Sequence, residues 1–155
     1  MGKIIYREGD LLEAPENILI HQTNQMGRMA SGIAGQIAKR FPEVKKRYLD
    51  KYDSIDGWKL GDIQPVKVNN ARTIINCCGQ KYYGNDDAKY TNEDSYYKIF
   101  TEVAEYTEEQ GQRSFGVPYL IGCGLGGGSW DLLMEIAEKV LKHRPVDMLV
   151  YKLPT

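Results

Sequence analysis

Apolar positions recur along the chain with two periods. Short runs rich in Ile, Val and aromatic residues predict strands at Lys3–Arg7, Asn17–His21, Asp62–Val68, Arg72–Cys78, Ser114–Leu120 and Asp147–Leu153. Helical spacing appears between them. Ile33, Ala34, Ile37, Ala38 and Phe41 predict a helix from Ser31, its cap, through Arg40. Pro42 stops that helix and suits the first turn of another, Pro42–Asp53, with Val44, Tyr48, Leu49 and Tyr52 on one side. Thr91 with Asp94 resembles a capping box opening a helix that carries Tyr96, Ile99, Phe100, Val103 and Ala104 and ends near Gly111. A last helix, Ser129–Lys142, turns Leu132, Leu133, Ile136, Ala137, Val140 and Leu141 inward.

Strands interleaved with helices predict an α/β fold, a three-layer α/β/α sandwich with helices on both sides of the sheet. Asn69-Asn70-Ala71 joins two strand-like runs as a hairpin, because Asn tolerates positive φ. The hairpin makes the central sheet mixed, and Pro65 puts its first run at a sheet edge. No repeat, low-complexity tract or Pro/Ser linker divides the chain, so residues 1–155 read as one domain.

Composition narrows the function classes. The 155 residues carry 20 basic and 21 acidic side chains, a formal net charge of −1, so bulk attraction to nucleic acid or an acidic membrane is not expected. No apolar run approaches the ~18 residues of a membrane span. Charge arrives too early at the N-terminus for a signal peptide, and a cytoplasmic protein is expected. Of the three cysteines, Cys77 and Cys78 are adjacent, which disfavours a disulfide framework. No CxxC or HxxxH spacing supports a metal site with Cys123, His21 or His143, so neither metal nor cofactor is expected.

Two segments share one design of buried strand, glycine-containing loop and helix. The first runs from Ile18 to Ala34 and the second from Phe115 to Trp130. Loops beyond the carboxyl ends of strands in an α/β sheet are where ligands bind. Small residues admit close backbone approach, and free N–H groups at each helix start hold phosphate oxygens. Two facing loops of this kind grip a diphosphate without any lysine or arginine. Gly122-x-Gly124-x-x-Gly127 fails as a dinucleotide-fold fingerprint, because one helix and one strand are all that follow it.

These motifs in order resemble the macrodomain family of ADP-ribose-binding modules. Gly9-Asp10-Leu11 resembles its early Gly-Asp element. His21-Gln22-Thr23-Asn24 followed by Ser31-Gly32-Ile33-Ala34 resembles its strand-loop-helix element. Ile121-Gly122-Cys123-Gly124-Leu125 with Trp130 resembles the late phosphate loop of the branch holding terminal ADP-ribose hydrolases and phage and bacterial relatives. The resemblance implies ADP-ribose, or an ADP-ribosylated macromolecule, as partner. It implies that Asp10 accepts from the adenine amino group and that Asn24 offers donor and acceptor to the distal ribose. Leu11 belongs to the same ligand-binding set. Ser31, Gly32 and Ile33 would face the diphosphate from one side, and Gly122, Cys123, Gly124, Leu125 and Gly126 from the other. Tyr151 would flank the adenine; with eleven tyrosines in the chain, a core role is the alternative.

Catalysis is read from the same resemblance. The branch that strips ADP-ribose from glutamate or DNA uses a lysine after the middle strand and, in some members, an aspartate in the late loop. Here Gln80 holds the lysine's place, with Lys81 one residue later, and Gly126 holds the aspartate's. Some relatives that dephosphorylate ADP-ribose 1″-phosphate carry a histidine where His21 stands, a neutral imidazole able to activate water. A satisfied core histidine is the alternative. The expectation is ADP-ribose binding with 1″-phosphate hydrolysis through His21, against a non-catalytic reader or a hydrolase acting through Lys81.

Overall fold

Ile18, Leu19 and Ile20 are at most 1% exposed, which puts the second predicted strand at the centre of the molecule. The computed structural model describes residues 1–30, 32–81, 91–121 and 128–154. In chain order the elements are β1 (Ile4–Glu8), a 3-10 turn (Leu11–Glu13), β2 (Ile18–Asn24), α1 (Gly32–Arg40), α2 (Pro42–Tyr52) and β3 (Ile63–Asn69). There follow β4 (Arg72–Gln80), α3 (Ser95–Glu109), β5 (Ser114–Pro118), α4 (Trp130–Leu141) and β6 (Asp147–Lys152). The strands form one sheet in the order β1-β6-β5-β2-β4-β3. Every neighbouring pair is parallel except β3–β4, so the sheet is mixed, with the hairpin strand and its Pro65 at one edge.

Strand alternation divides the core into two layers. Ile18, Ile20, Ile75, Cys77, Phe115, Val117, Met148 and Val150 pack against α3 and α4. Leu19, Ile74, Cys78, Leu149 and Tyr151 face the other way, toward α1, α2 and the 3-10 turn. This is the expected α/β/α sandwich. Cys77 and Cys78 thus sit on opposite faces of β4 and cannot converge on one ion. No helix among the described residues is long and apolar enough to cross a membrane.

Local details differ from expectation in three places. The β3–β4 turn needs no positive φ at asparagine; instead Asn69 Oδ1 accepts from the Ala71 N–H at 2.8 Å. The Thr91/Asp94 capping box does not form, because Asp94 caps nothing and Asn92 Oδ1 takes the Ser95 N–H at 2.9 Å. Leu132, expected inward, is 38% exposed, since it lies at the edge of the apolar stripe that Leu133, Ile136 and Ala137 define.

Candidate functional site

β2 and β5 are neighbours, yet they pair only at Ile18 with Phe115 and Leu19 with Gly116. Beyond Leu19, β2 continues against β4 as far as Asn24, while β5 stays with β6 through Pro118. The two central strands therefore part toward their carboxyl ends. Their exits also diverge. The chain leaving β2 enters α1 on one face, and the chain leaving β5 enters α4 on the other. A point where neighbouring strands send their connections to opposite faces is where open α/β sheets take ligands. Among the described residues, Asp10, Asn24, Gly32 and Ile33 all follow or end parallel strands on this edge.

Asp10 follows β1 and caps the 3-10 turn, its Oδ1 accepting from Leu12 N at 2.9 Å. That bond fixes the carboxylate and leaves Oδ2 as an acceptor. Leu11 beside it is buried in the core layer that faces α1 and α2.

The Asn24 side chain is engaged within its own loop. A register shift between Thr23 and Asn24, where Gly79 is the extra residue on β4, re-aims Asn24 toward α2. Its Oδ1 accepts from Met26 N at 2.9 Å and lies 2.8 Å from the Tyr48 hydroxyl, while its Nδ2 donates to Arg28 O at 2.9 Å. Two backbone N–H groups facing Oδ1 determine the amide's orientation. One Nδ2 hydrogen thus has no partner among the described residues, and the acceptor half expected to serve a ribose is already engaged.

The two helix starts differ. Gly32 opens α1 at φ +57°, exposed, with no acidic residue in the first turn. Its N-terminal N–H groups and positive dipole end suit an anion, and Ile33 shares that turn. At α4 the N-cap has partners of its own. Glu93 Oε2 accepts from Ser129 N at 3.0 Å, and Ser129 Oγ caps Leu132 N at 3.3 Å. A carboxylate thus stands beside the N-cap, which the start of α1 lacks among the described residues. Ser31, Gly122, Cys123, Gly124, Leu125 and Gly126 lie outside the described residues.

Tyr151 is 9% exposed and belongs to the core beneath the segment that follows β1. Its hydroxyl donates to Glu16 Oε1, so the ring packs against the sheet instead of forming an open face. Burial is the first reason its phenol is pushed up to about 12, with Glu16 adding to it.

His21 has no exposed surface and faces α2 from the middle of β2. Its Nε2 lies 2.6 Å from Asn76 Oδ1. Asn76 Nδ2 points instead at Val44 O and Gln64 Oε1, so Nε2 carries the proton and Nδ1 is bare. Burial lowers the imidazole to about 4, against a smaller upward pull from Asn76. The ring is neutral at pH 7 and has no exposed surface in this conformation, so the expected role as a catalytic base needs the imidazole to move.

Gln80, at the place of the relatives' lysine, is also 9% exposed and accepts from Gln22 Nε2 at 2.6 Å. Gln22 further donates to Thr91 Oγ1 and accepts from the Tyr96 hydroxyl at 2.6 Å. This buried polar group, with Glu93 nearby in sequence, joins β2, β4 and the start of α3 at the same edge. Lys81 is exposed beside it. Nothing in the sequence singles out Glu93; Tyr48 and Tyr96 are spaced as ordinary core positions, and Gln22 shows only as one polar residue of the His21-Gln22-Thr23-Asn24 run.

Comparison with known proteins agrees with this architecture. The Macro domain family model matches residues 20–137. A Mycobacterium tuberculosis protein named DNA ADP-ribosyl glycohydrolase is 27% identical over 151 residues, 96% of this chain and 42% of its own length. A Saccharomyces cerevisiae protein named ADP-ribose 1″-phosphate phosphatase is 30% identical over 80 residues, half of this chain and 45% of that one. Viral polyproteins also match, and this chain spans 5% of their length. The structure of the macrodomain of Mycobacterium tuberculosis DarG superposes with TM-score 0.82 at 25% identity, covering all of both chains. With the order of elements, the parting of β2 from β5 and the family match all in agreement, the chain belongs to the macro domain family.

Proposed function

We propose that this macrodomain binds ADP-ribose, or a derivative carrying it, where β2 and β5 part. That parting is the observation that carries the reading, because it opens the sheet between two loops leaving to opposite faces. Asp10 Oδ2 accepts from the adenine amino group, an acceptor-only carboxylate selecting a donor. The remaining Nδ2 hydrogen of Asn24 reaches the distal ribose. Gly32 and Ile33 at the start of α1 hold the diphosphate from one side; Ser31, and Gly122 through Gly126 opposite, are assigned to it from the family motifs alone. Calorimetric titration with ADP-ribose, AMP, ADP and NAD tests this. ADP-ribose should bind most tightly; AMP binding equally well, or no ADP-ribose binding, would overturn it.

Turnover is the second reading, supported by the names of the mycobacterial and yeast relatives. Hydrolysis of ADP-ribose 1″-phosphate through His21 requires the ring to leave its place beside Asn76. Release of ADP-ribose from protein or nucleic acid would use the exposed Lys81. Phosphate release lost in His21→Ala with ADP-ribose binding kept supports the first route. Unchanged activity in Lys81→Ala eliminates the second.

A further inference from the structure

Two tyrosines one helical turn apart on α2 close on the loop that follows β2. The Tyr48 hydroxyl accepts from Gly27 N at 3.1 Å and turns its single proton toward the two Asn24 oxygens, the backbone O at 2.7 Å and Oδ1 at 2.8 Å. Tyr52 covers the other side of the same turn. A Cβ added at Gly27 would stand 2.9 Å from Tyr52 Cε2, and Gly27 has φ +74°, open to glycine and strained for other residues. Tyr48 is itself immobilised. It is fully buried, its ring packs at a 38° tilt against Trp58 with centroids 5.4 Å apart, and Trp58 Nε1 donates to Tyr48 O at 3.0 Å.

Without its three neighbours the buried O–H would carry an unmet desolvation cost, so the group is tolerable only because the loop meets it. Together with the Met26 and Arg28 N–H groups that face Oδ1, it ties both oxygens of Asn24 to the side of α2, leaving one Nδ2 hydrogen as the amide's remaining donor. We infer that Tyr48 is a positioning residue that presets the 24–28 loop, and with it the Asn24 amide, for the distal ribose of the ligand. This rests on the ADP-ribose reading above.

The experiment compares ADP-ribose with ADP, which lacks the distal ribose, on wild type and Tyr48→Phe. Tyr48→Phe keeps the ring on Trp58 and removes the hydroxyl alone. Its affinity for ADP-ribose should fall about five- to tenfold, the worth of one hydrogen bond, while its affinity for ADP stays within about twofold. Gly27→Ala, which drives the turn away from Tyr52, should produce the same selective loss and keeps the test open should Tyr48→Phe not fold. Equal loss for both nucleotides, or none for either, overturns the positioning role. Wild type that ignores ADP-ribose removes the underlying reading and this role with it, a result distinct from the other two.

Discussion

His21 and Asn76 stand opposite one another in the β2–β4 register, joined by a 2.6 Å bond between Nε2 and Oδ1 with no solvent near either. Folding holds the imidazole near 4, whereas the unfolded chain takes up a proton near 6.5. The unfolded state therefore binds protons first as pH falls. The stability associated with neutral His21 is complete above pH 6.5 and is lost progressively toward pH 4, amounting to about 3 kcal/mol. Urea midpoints of wild type and His21→Gln at pH 7.5, 5.5 and 4.5 measure it. The gap between the two proteins should shift in favour of the variant as pH falls, and a constant gap would refute the assignment.

Asp10 combines a local and a ligand role on separate oxygens. Asp10→Asn keeps an Oδ1 acceptor for Leu12 N but turns the second position into a donor facing adenine's amino group. Thermal stability should stay within about 0.5 kcal/mol, in the range of cap exchanges between Asp and Asn. Affinity for ADP-ribose should weaken by about 1.5–3 kcal/mol, the range for losing a charged hydrogen bond. The hypoxanthine analogue should lose far less. Calorimetry with the two ligands decides, and parallel losses would mean Asp10 does not read the base.

Gly79 sits where the polar group at the strand ends is tightest. A Cβ there would come 2.5 Å from Gln22 Oε1 and 2.6 Å from the rigid, buried ring of Tyr96. Gly79→Ala should cost about 2–3 kcal/mol, overpacking plus the strained Gln22–Tyr96 bond. A chemical denaturation midpoint close to wild type would show that the cluster yields more easily than its geometry implies.

Gly35 sets helix propensity against sterics. Alanine at an α-helical glycine ordinarily stabilises by about 1 kcal/mol. In α1 the added Cβ would stand 2.6 Å from the Ala30 carbonyl oxygen, a backbone atom that cannot swing aside. The backbone clash is expected to win, so Gly35→Ala should lower the melting temperature. An increase would mean the turn before α1 relaxes freely.

Much of this protein was legible in its sequence because the relevant forces are local. Period-two and helical apolar spacing depend on neighbours along the chain, and among the described residues these placed the six strands and four α-helices to within a few residues, though not the 3-10 turn at Leu11–Glu13. The mixed character of the sheet followed from one short asparagine-containing turn and Pro65. The glycine-flanked strand ends were equally plain, since close approach to a ligand needs small residues in a row. Tertiary structure alone decided which polar atoms of the site are available. His21 looked like a base at a strand end, and the depth of β2 under α2 made it a buried neutral partner of Asn76. Asn24 looked like a two-sided amide, and Tyr48, twenty-four residues away, claimed its oxygen. Before the start of α4, Glu93, thirty-six residues earlier, took the Ser129 N–H. Burial and partnership across long sequence separation cannot be read from spacing, because they exist only once the chain has closed on itself.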